Sequence, residues 1–233
     1  MENLQFEDLK IIQADGGYKF STDSVLLANF GSAKQNDVYV DLCSGSGVVA
    51  MLFSCKRKIK KSYAVEIQPR LADMAERSIK LNNLQDKITV INEDLFEIYK
   101  TLGYESVDVV TVNPPYNISS KPSDIEEIAI ATHEIKTTLE KIILSASKLL
   151  KYGGKFLMVH RADRLVDILS TCRNYKLEPK VLRMVYPTAK KEPNLVLLEA
   201  KKGAKSGLKF LPPLVLNEED GSETAELKTI YGR

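Results

Sequence analysis

The feature that most constrains this chain is an alternation. Short apolar, largely β-branched runs at 38–42 (VYVDL), 62–67 (SYAVEI), 87–92 (KITVIN), 107–112 (VDVVTV) and 154–160 (GKFLMVH) are separated by stretches long enough for a helix. Runs of this kind predict strands buried on both faces, and helices that cross over a parallel sheet supply the cover. Between the second and third strands, Pro69 sits where a helix can begin, and Leu71, Met74, Ala75, Ile79 and Leu81 recur at helical spacing over 70–83. Leu165, Val166, Ile168 and Leu169 mark a helix after the fifth strand. Residues 179–186 and 195–200 read as two closing strands joined through 187–192. The expectation is an α/β fold with a mainly parallel seven-stranded sheet and helices on both faces. Residues 9–20 carry an Asp15-Gly16 turn between strand-like flanks, which predicts a small hairpin capping the sheet. The chain then divides into a hairpin and lid segment (1–36), a core (37–200) and a tail (201–233) within a single domain.

Composition narrows the functional classes. With 44% hydrophobic and 27% charged residues, the 233-residue chain has material for a core. Thirty-three Lys+Arg against 31 Asp+Glu leave a net charge of +2, which excludes the strongly basic footprint of a non-specific nucleic-acid binder. Any RNA contact must come from a local patch. Cys43, Cys55 and Cys172 form no Cys-x-x-Cys pair, so neither a disulfide framework nor a zinc site is indicated. His133 and His160 are the only histidines, and no metal site can be argued from them. No apolar run approaches the ~20 residues of a membrane span, and no signal pattern opens the chain. A reducing, cytoplasmic setting is expected.

Two motifs carry chemistry. After the first strand the chain reads Asp41-Leu42-Cys43-Ser44-Gly45-Ser46-Gly47 and runs straight into an apolar helical stretch, so a nucleotide-like ligand can approach the backbone and the helix N–H groups. Glu66, nineteen residues beyond Gly47, is placed to accept ribose hydroxyls. The loop alone does not separate NAD from S-adenosylmethionine. Asp41 leans towards the latter, because its carboxylate can balance ammonium and sulfonium charges. The second motif is Asn113-Pro114-Pro115-Tyr116, following the fourth strand. The Asn113 side chain and the Pro114 carbonyl can hold both hydrogens of an exocyclic NH₂ while Tyr116 stacks on its planar carrier. Those hydrogen bonds draw the nitrogen lone pair out of conjugation and raise its nucleophilicity.

DLCSGSG, AVEIQP, NEDLF and NPPY, in this order, resemble the class I S-adenosylmethionine-dependent methyltransferases that modify amino groups. GYKFSTDSVLLANF, IATHEIKTTLEKIILSASKLLKYGGKFLMVHRADRLVDIL and LVLLEAKKG are similar to the bacterial tRNA adenine-N6 methyltransferases, which act on the adenine beside the anticodon of a valine tRNA. The resemblance implies a Rossmann-like fold. It implies that Asp41, Gly45 and Gly47 line the methionine side of the cofactor, that Glu66 binds its ribose and that Asp94 takes its adenine amino group. It further implies that Asn113, Pro114, Pro115 and Tyr116 hold the target base, and that Phe20 and Asp23 are lid candidates over the cofactor. Position 43, often a third glycine in the wider class, is Cys43 here, read as a packed small residue. NPPY is shared with enzymes that methylate DNA adenine, ribosomal guanine and release-factor glutamine, so it fixes chemistry better than substrate.

Ser21-Thr22-Asp23 reads as a helix N-cap, and His133 as structural. The densest basic run, 56–61, joins the first crossover helix to the second strand, at the edge opposite the ligand-binding carboxyl ends, and reads as helix C-terminal cations and solvated loop. Lys190 and Lys191 follow a strand that ends at the ligand edge if it runs parallel to the fifth. With Arg161 and Arg164 they are the candidates for gripping RNA phosphate. The expected function is transfer of methyl from S-adenosylmethionine to adenine N6 in RNA, most readily tRNA. The rivals are methylation of another planar amino group, on rRNA, DNA or protein glutamine, and an RNA-binding module without catalysis. Glutamine-modifying enzymes usually carry an additional N-terminal helical domain, and only about forty residues precede Val40, which disfavours that reading.

Overall fold

The computed structural model describes residues 2–4, 6, 8–13, 20–115 and 137–233. The elements in chain order are β1 (Glu2–Asn3), β2 (Lys10–Ile11), α1 (Thr22–Asn29), β3 (Val38–Leu42), α2 (Val48–Arg57), β4 (Lys61–Val65), α3 (Pro69–Leu81), β5 (Ile88–Ile91), α4 (Ile98–Leu102) and β6 (Val107–Val112). After these come α5 (Leu139–Leu149), β7 (Leu150–Arg161), α6 (Leu165–Asn174), β8 (Leu177–Tyr186), β9 (Leu195–Lys202), β10 (Lys209–Phe210), β11 (Leu214–Val215) and α7 (Ala225–Tyr231).

The larger sheet runs β10-β8-β9-β7-β6-β3-β4-β5, with β11 also paired to β8. Only β9 is antiparallel to its neighbours β7 and β8. Among the described residues the sheet therefore has nine strands, not the seven expected. The two extra strands come from the tail and extend β8 in parallel register, Lys209 beside Val181 and Leu214 beside Val185. Two-residue strands leave no periodicity to read, which is why they were not foreseen.

Alternate residues of the central strands feed opposite cores. Tyr39, Val109 and Leu157 face α1, α2 and α3, whereas Val40, Val110 and Phe156 face α4, α5 and α6. The N-terminal hairpin differs from expectation. Among the described residues the pairing is β1 with β2, Glu2 opposite Ile11. This pairing docks on α3, where Asn82 Oδ1 accepts the Lys10 N–H at 2.9 Å and Ser78 Oγ accepts the Ile12 N–H at 3.0 Å, and Leu4, Leu9 and Ile11 join the core that includes Tyr39. The Asp15-Gly16 turn lies outside the described residues.

Helix α1 is held from behind. Arg57 donates to the carbonyls of Ala28 (2.7 Å), Phe30 and Gly31 (both 3.0 Å), with its guanidinium 3.7 Å above the Phe53 ring. Lys56 donates to Asn29 Oδ1 at 2.7 Å and to the Ile230 carbonyl, and Tyr231 of α7 donates to Thr22 Oγ1 at 3.2 Å. Two cations of the basic run thus satisfy the end of α1 and not that of their own helix. Ser21 occupies the N-cap position of α1 without a side-chain cap bond. Among the described residues no helix is long and apolar enough to cross a membrane.

Candidate active site

The loop between β3 and α2 is built from left-handed residues: Cys43 at φ 56°, Gly45 at 56° and Gly47 at 88°. At Gly47 a Cβ would lie 3.2 Å from the Ala75 Cβ, so glycine there lets α2 start against α3. Cys43 adopts the same left-handed turn with a side chain present. Its thiol is pushed well above the usual range, first by burial and then by the negative charges of Glu66, Asp41 and Asp94. Cys43 is therefore protonated, and it lies half-buried on the walls of the clefts described below.

Asp41 lies beneath this loop. It is 1% exposed, and its carboxylate accepts from Ser44 Oγ at 2.7 Å and from Thr111 Oγ1 at 2.6 Å. Thr111 Oγ1 is in turn 2.6 Å from the Tyr39 hydroxyl. Burial raises the Asp41 carboxyl from 3.8 to about 7, against the lowering effect of the two hydroxyl donors. Asp41 thus ties the loop to β6; it is not among the described residues that wall the clefts.

Glu66, just past β4 and 5% exposed, accepts the Gly45 N–H on Oε2 and the Gln68 N–H on Oε1, both at 2.9 Å. Burial raises its pKa, and the N–H groups of Gln68, Gly45 and Ile67 oppose the rise. Asn92 Nδ2 donates to the Glu66 and Ile67 carbonyls at 2.7 and 3.1 Å, which pins the end of β5 to that of β4. Asp94 accepts the Phe96 N–H at 2.9 Å. Gly45, Glu66, Asp94, Asn113 and Thr137 share the wall of one cleft of about 600 Å³. A smaller one of about 280 Å³ is walled by Phe20, Ser24, Ser46 and Val48, and the two meet at Cys43, Gly45 and Asn113.

Asn113 follows the carboxyl end of β6 and donates from Nδ2 to Ser24 Oγ at 3.0 Å. Pro114 is buried and Pro115 lines the larger cleft. Tyr116 and His133 lie outside the described residues. Phe20 reaches the smaller cleft, whereas Asp23 is not on either wall; burial raises its carboxyl. Among the wall residues that no motif marks, Ser24 and Thr137 carry polar side chains of interest. Ser24 was hidden in a cap-like string. Thr137, which precedes the Thr138 cap of α5, is 9% exposed, and its Oγ1 has no hydrogen-bond partner among the described residues. Nothing in the sequence distinguishes it from Thr138.

Because β9 separates β7 from β8, the latter two point the same way. The segment 187–194 therefore leaves β8 at the carboxyl edge, and the Ala162 N–H bonds the Asn194 carbonyl there at 3.0 Å. Arg161 pairs with Asp163 at 2.6 Å, Arg164 with Asp167 at 2.8 Å and Lys190 with Glu219 at 3.2 Å; Lys191 is exposed. Such surface pairs are worth about 0–1 kcal/mol, so a phosphate can displace them. Buried His160, which accepts the Arg161 N–H on Nδ1 at 2.9 Å, has its pKa lowered to about 4, first by burial and next by Arg164.

The profile of the methyltransferase small domain family matches residues 18–169. A Porphyromonas gingivalis protein named tRNA1(Val) (adenine(37)-N6)-methyltransferase is 27% identical over 204 residues, 84% of this chain and 79% of that one. A protein of the same name from Bacteroides thetaiotaomicron is 27% identical over 176 residues, 75% of this chain and 73% of that one. Among solved structures, one described as a predicted O-methyltransferase from Agrobacterium tumefaciens has a TM-score of 0.73 at 21% identity and covers 90% of this chain and 95% of its own. A precorrin-6y C5,15-methyltransferase from Geobacter metallireducens has a TM-score of 0.59 at 15% identity, covering 85% and 97%. These structural likenesses establish the expected fold.

Proposed function

Because this chain belongs to the methyltransferase small domain family, we propose that it transfers a methyl group from S-adenosylmethionine to the N6 amino group of an adenine in tRNA. The observation that carries this reading is the position of Asn113 at the seam of two clefts, past the end of β6, with the carboxylates of Glu66 and Asp94 along the larger one. Tyr116, the next aromatic in the chain, supplies the stacking surface. The names carried by the Porphyromonas and Bacteroides relatives support tRNA as the RNA. Cysteines without a pairing pattern fit a cytoplasmic setting.

The residues present fit the cofactor. Glu66 and Asp94 are acceptors for hydroxyl and amino hydrogens, and the orphaned Thr137 hydroxyl on the same wall is a buried polar group that a ligand can satisfy. S-adenosylmethionine supplies, when bound, an electrophilic methyl on a sulfonium. Glu66 accepts from the ribose hydroxyls and Asp94 from the adenine amino group, while Gly45, held by Glu66, keeps the loop backbone close. Phe20 closes the smaller cleft, and Asp41 acts beneath the loop. Asn113 Oδ1 and the Pro114 carbonyl accept both hydrogens of the target amine. Held this way, the amine would present its lone pair to the methyl that the cofactor would supply, the bonding electrons of that methyl would stay with the departing group, and the surplus proton would pass to water. Positioning and preorganised acceptors supply the catalysis, with no general base required. Arg161, Arg164, Lys190 and Lys191 grip the RNA backbone at the carboxyl edge.

The test is incubation with methyl-labelled cofactor and unmodified tRNA, followed by digestion to nucleosides. Label in N6-methyladenosine is expected, with Asn113→Ala cutting transfer to a small residual rate while cofactor affinity stays within a few-fold. Label in protein glutamine and none in RNA would refute the assignment.

A further inference from the structure

We propose that Ser24 is a positioning residue for methyl transfer, acting through Asn113 by fixing the plane of its carboxamide. The inference rests on the reading of Asn113 as an acceptor for the target amine. A proline-stiffened backbone fixes where Asn113 sits but not how its side chain turns, because the terminal torsion of an asparagine is broad. The turn matters. Oδ1 accepts and Nδ2 donates, and the two are nearly isosteric, so a rotated carboxamide presents N–H to an amine that needs an acceptor.

In the structure Nδ2 is engaged: it donates to Ser24 Oγ at 3.0 Å, across 89 residues of sequence. That leaves Oδ1 as the free acceptor, and among the described residues no donor reaches it. Ser24 is 5% exposed and shares the smaller cleft with Asn113, so water does not compete freely for this bond. The helix that carries it is fixed at both ends, at one by Arg57 and Lys56 and at the other by the Tyr231 contact to Thr22. A group that orients another must itself be rigid, and α1 meets that requirement.

The experiment measures single-turnover methylation of unmodified tRNA at saturating cofactor, together with cofactor affinity by calorimetry and the melting temperature. Ser24→Ala should slow transfer about ten- to a hundred-fold, the scale on which a small misplacement of a reacting group acts. Cofactor affinity should stay within two-fold. Ser24→Cys preserves volume with a much weaker acceptor and should slow transfer similarly if the alanine variant folds poorly. Ser24→Thr, which keeps the hydroxyl, should restore most of the rate. Added to Asn113→Ala, the Ser24→Ala change should alter the residual rate by less than two-fold, because its effect passes through the missing side chain. Wild-type rates in the alanine and cysteine variants, or an equal loss with and without Asn113, would overturn the proposal. Failure of the wild type to methylate an adenine would instead remove the reading of Asn113, and the role of Ser24 with it.

Discussion

Asp41→Asn should change how stability depends on pH. The carboxyl lies beneath the glycine loop, 1% exposed, with Ser44 and Thr111 donating to it, and burial raises it from 3.8 to about 7. Between about pH 4 and 7 the unfolded chain has released this proton and the folded one retains it. Folding then takes up a proton, so the contribution of Asp41 is fully present below its unfolded value and is lost as pH rises through about 7. A displacement of that size corresponds to about 4 kcal/mol. Asparagine keeps the shape without the titration. The stability of the Asn variant relative to wild type should therefore rise by up to about 4 kcal/mol between pH 4 and pH 8 and level off above. Urea unfolding of both proteins at half-unit pH steps measures the difference directly. A difference that stays flat, or falls with pH, would refute the argument that burial dominates the Asp41 environment.

Glu66→Ala should raise the cofactor dissociation constant by one to two decades, since hydrogen bonds to a charged acceptor contribute roughly 1.5–3 kcal/mol. It should also lower the melting temperature, because the Gly45 and Gln68 amides lose their acceptor; calorimetry and a thermal melt read the two effects, and unchanged cofactor affinity would exclude ribose binding. Replacing Lys190 and Lys191 together by Ala should weaken tRNA binding and flatten its salt dependence by about one unit of slope per lost phosphate contact. Lys58→Ala, Lys60→Ala and Lys61→Ala combined should change little; filter binding across a salt series compares the two patches, and a larger loss from the latter would place RNA on the far edge.

The parts legible in sequence were those where burial leaves a continuous signal. β3 and β6 occupy the very residues expected, because central parallel strands are apolar on both faces. β7 begins at Leu150, four residues before the run expected at 154–160, because Lys151, Tyr152 and Gly153 conceal the start of a strand that shifts register against β6. The glycines after β3 marked a tight strand-to-helix turn, which the left-handed Gly45 and Gly47 make. Depth was not legible: Asp41 reads as a charge facing a ligand and is instead a buried strut between loop and β6. Partners distant in sequence were equally hidden. Arg57 capping α1 and Ser24 bonding Asn113 depend on which helix packs where, and neither residue type signals its partner.

The insertion of β9 between β7 and β8 separates two kinds of change. The segment 187–194 joins adjacent antiparallel strands and lies outside both clefts, yet it emerges at the edge where they open. Lengthening a surface connection costs only about 0.6 kcal/mol per doubling. A sequence can therefore lengthen, shorten or recharge this hairpin without disturbing the glycine loop, Glu66 or Asn113. The sheet order thus leaves this turn free to vary without disturbing the site, so divergence among relatives should concentrate here and spare the loops that follow β3 and β6.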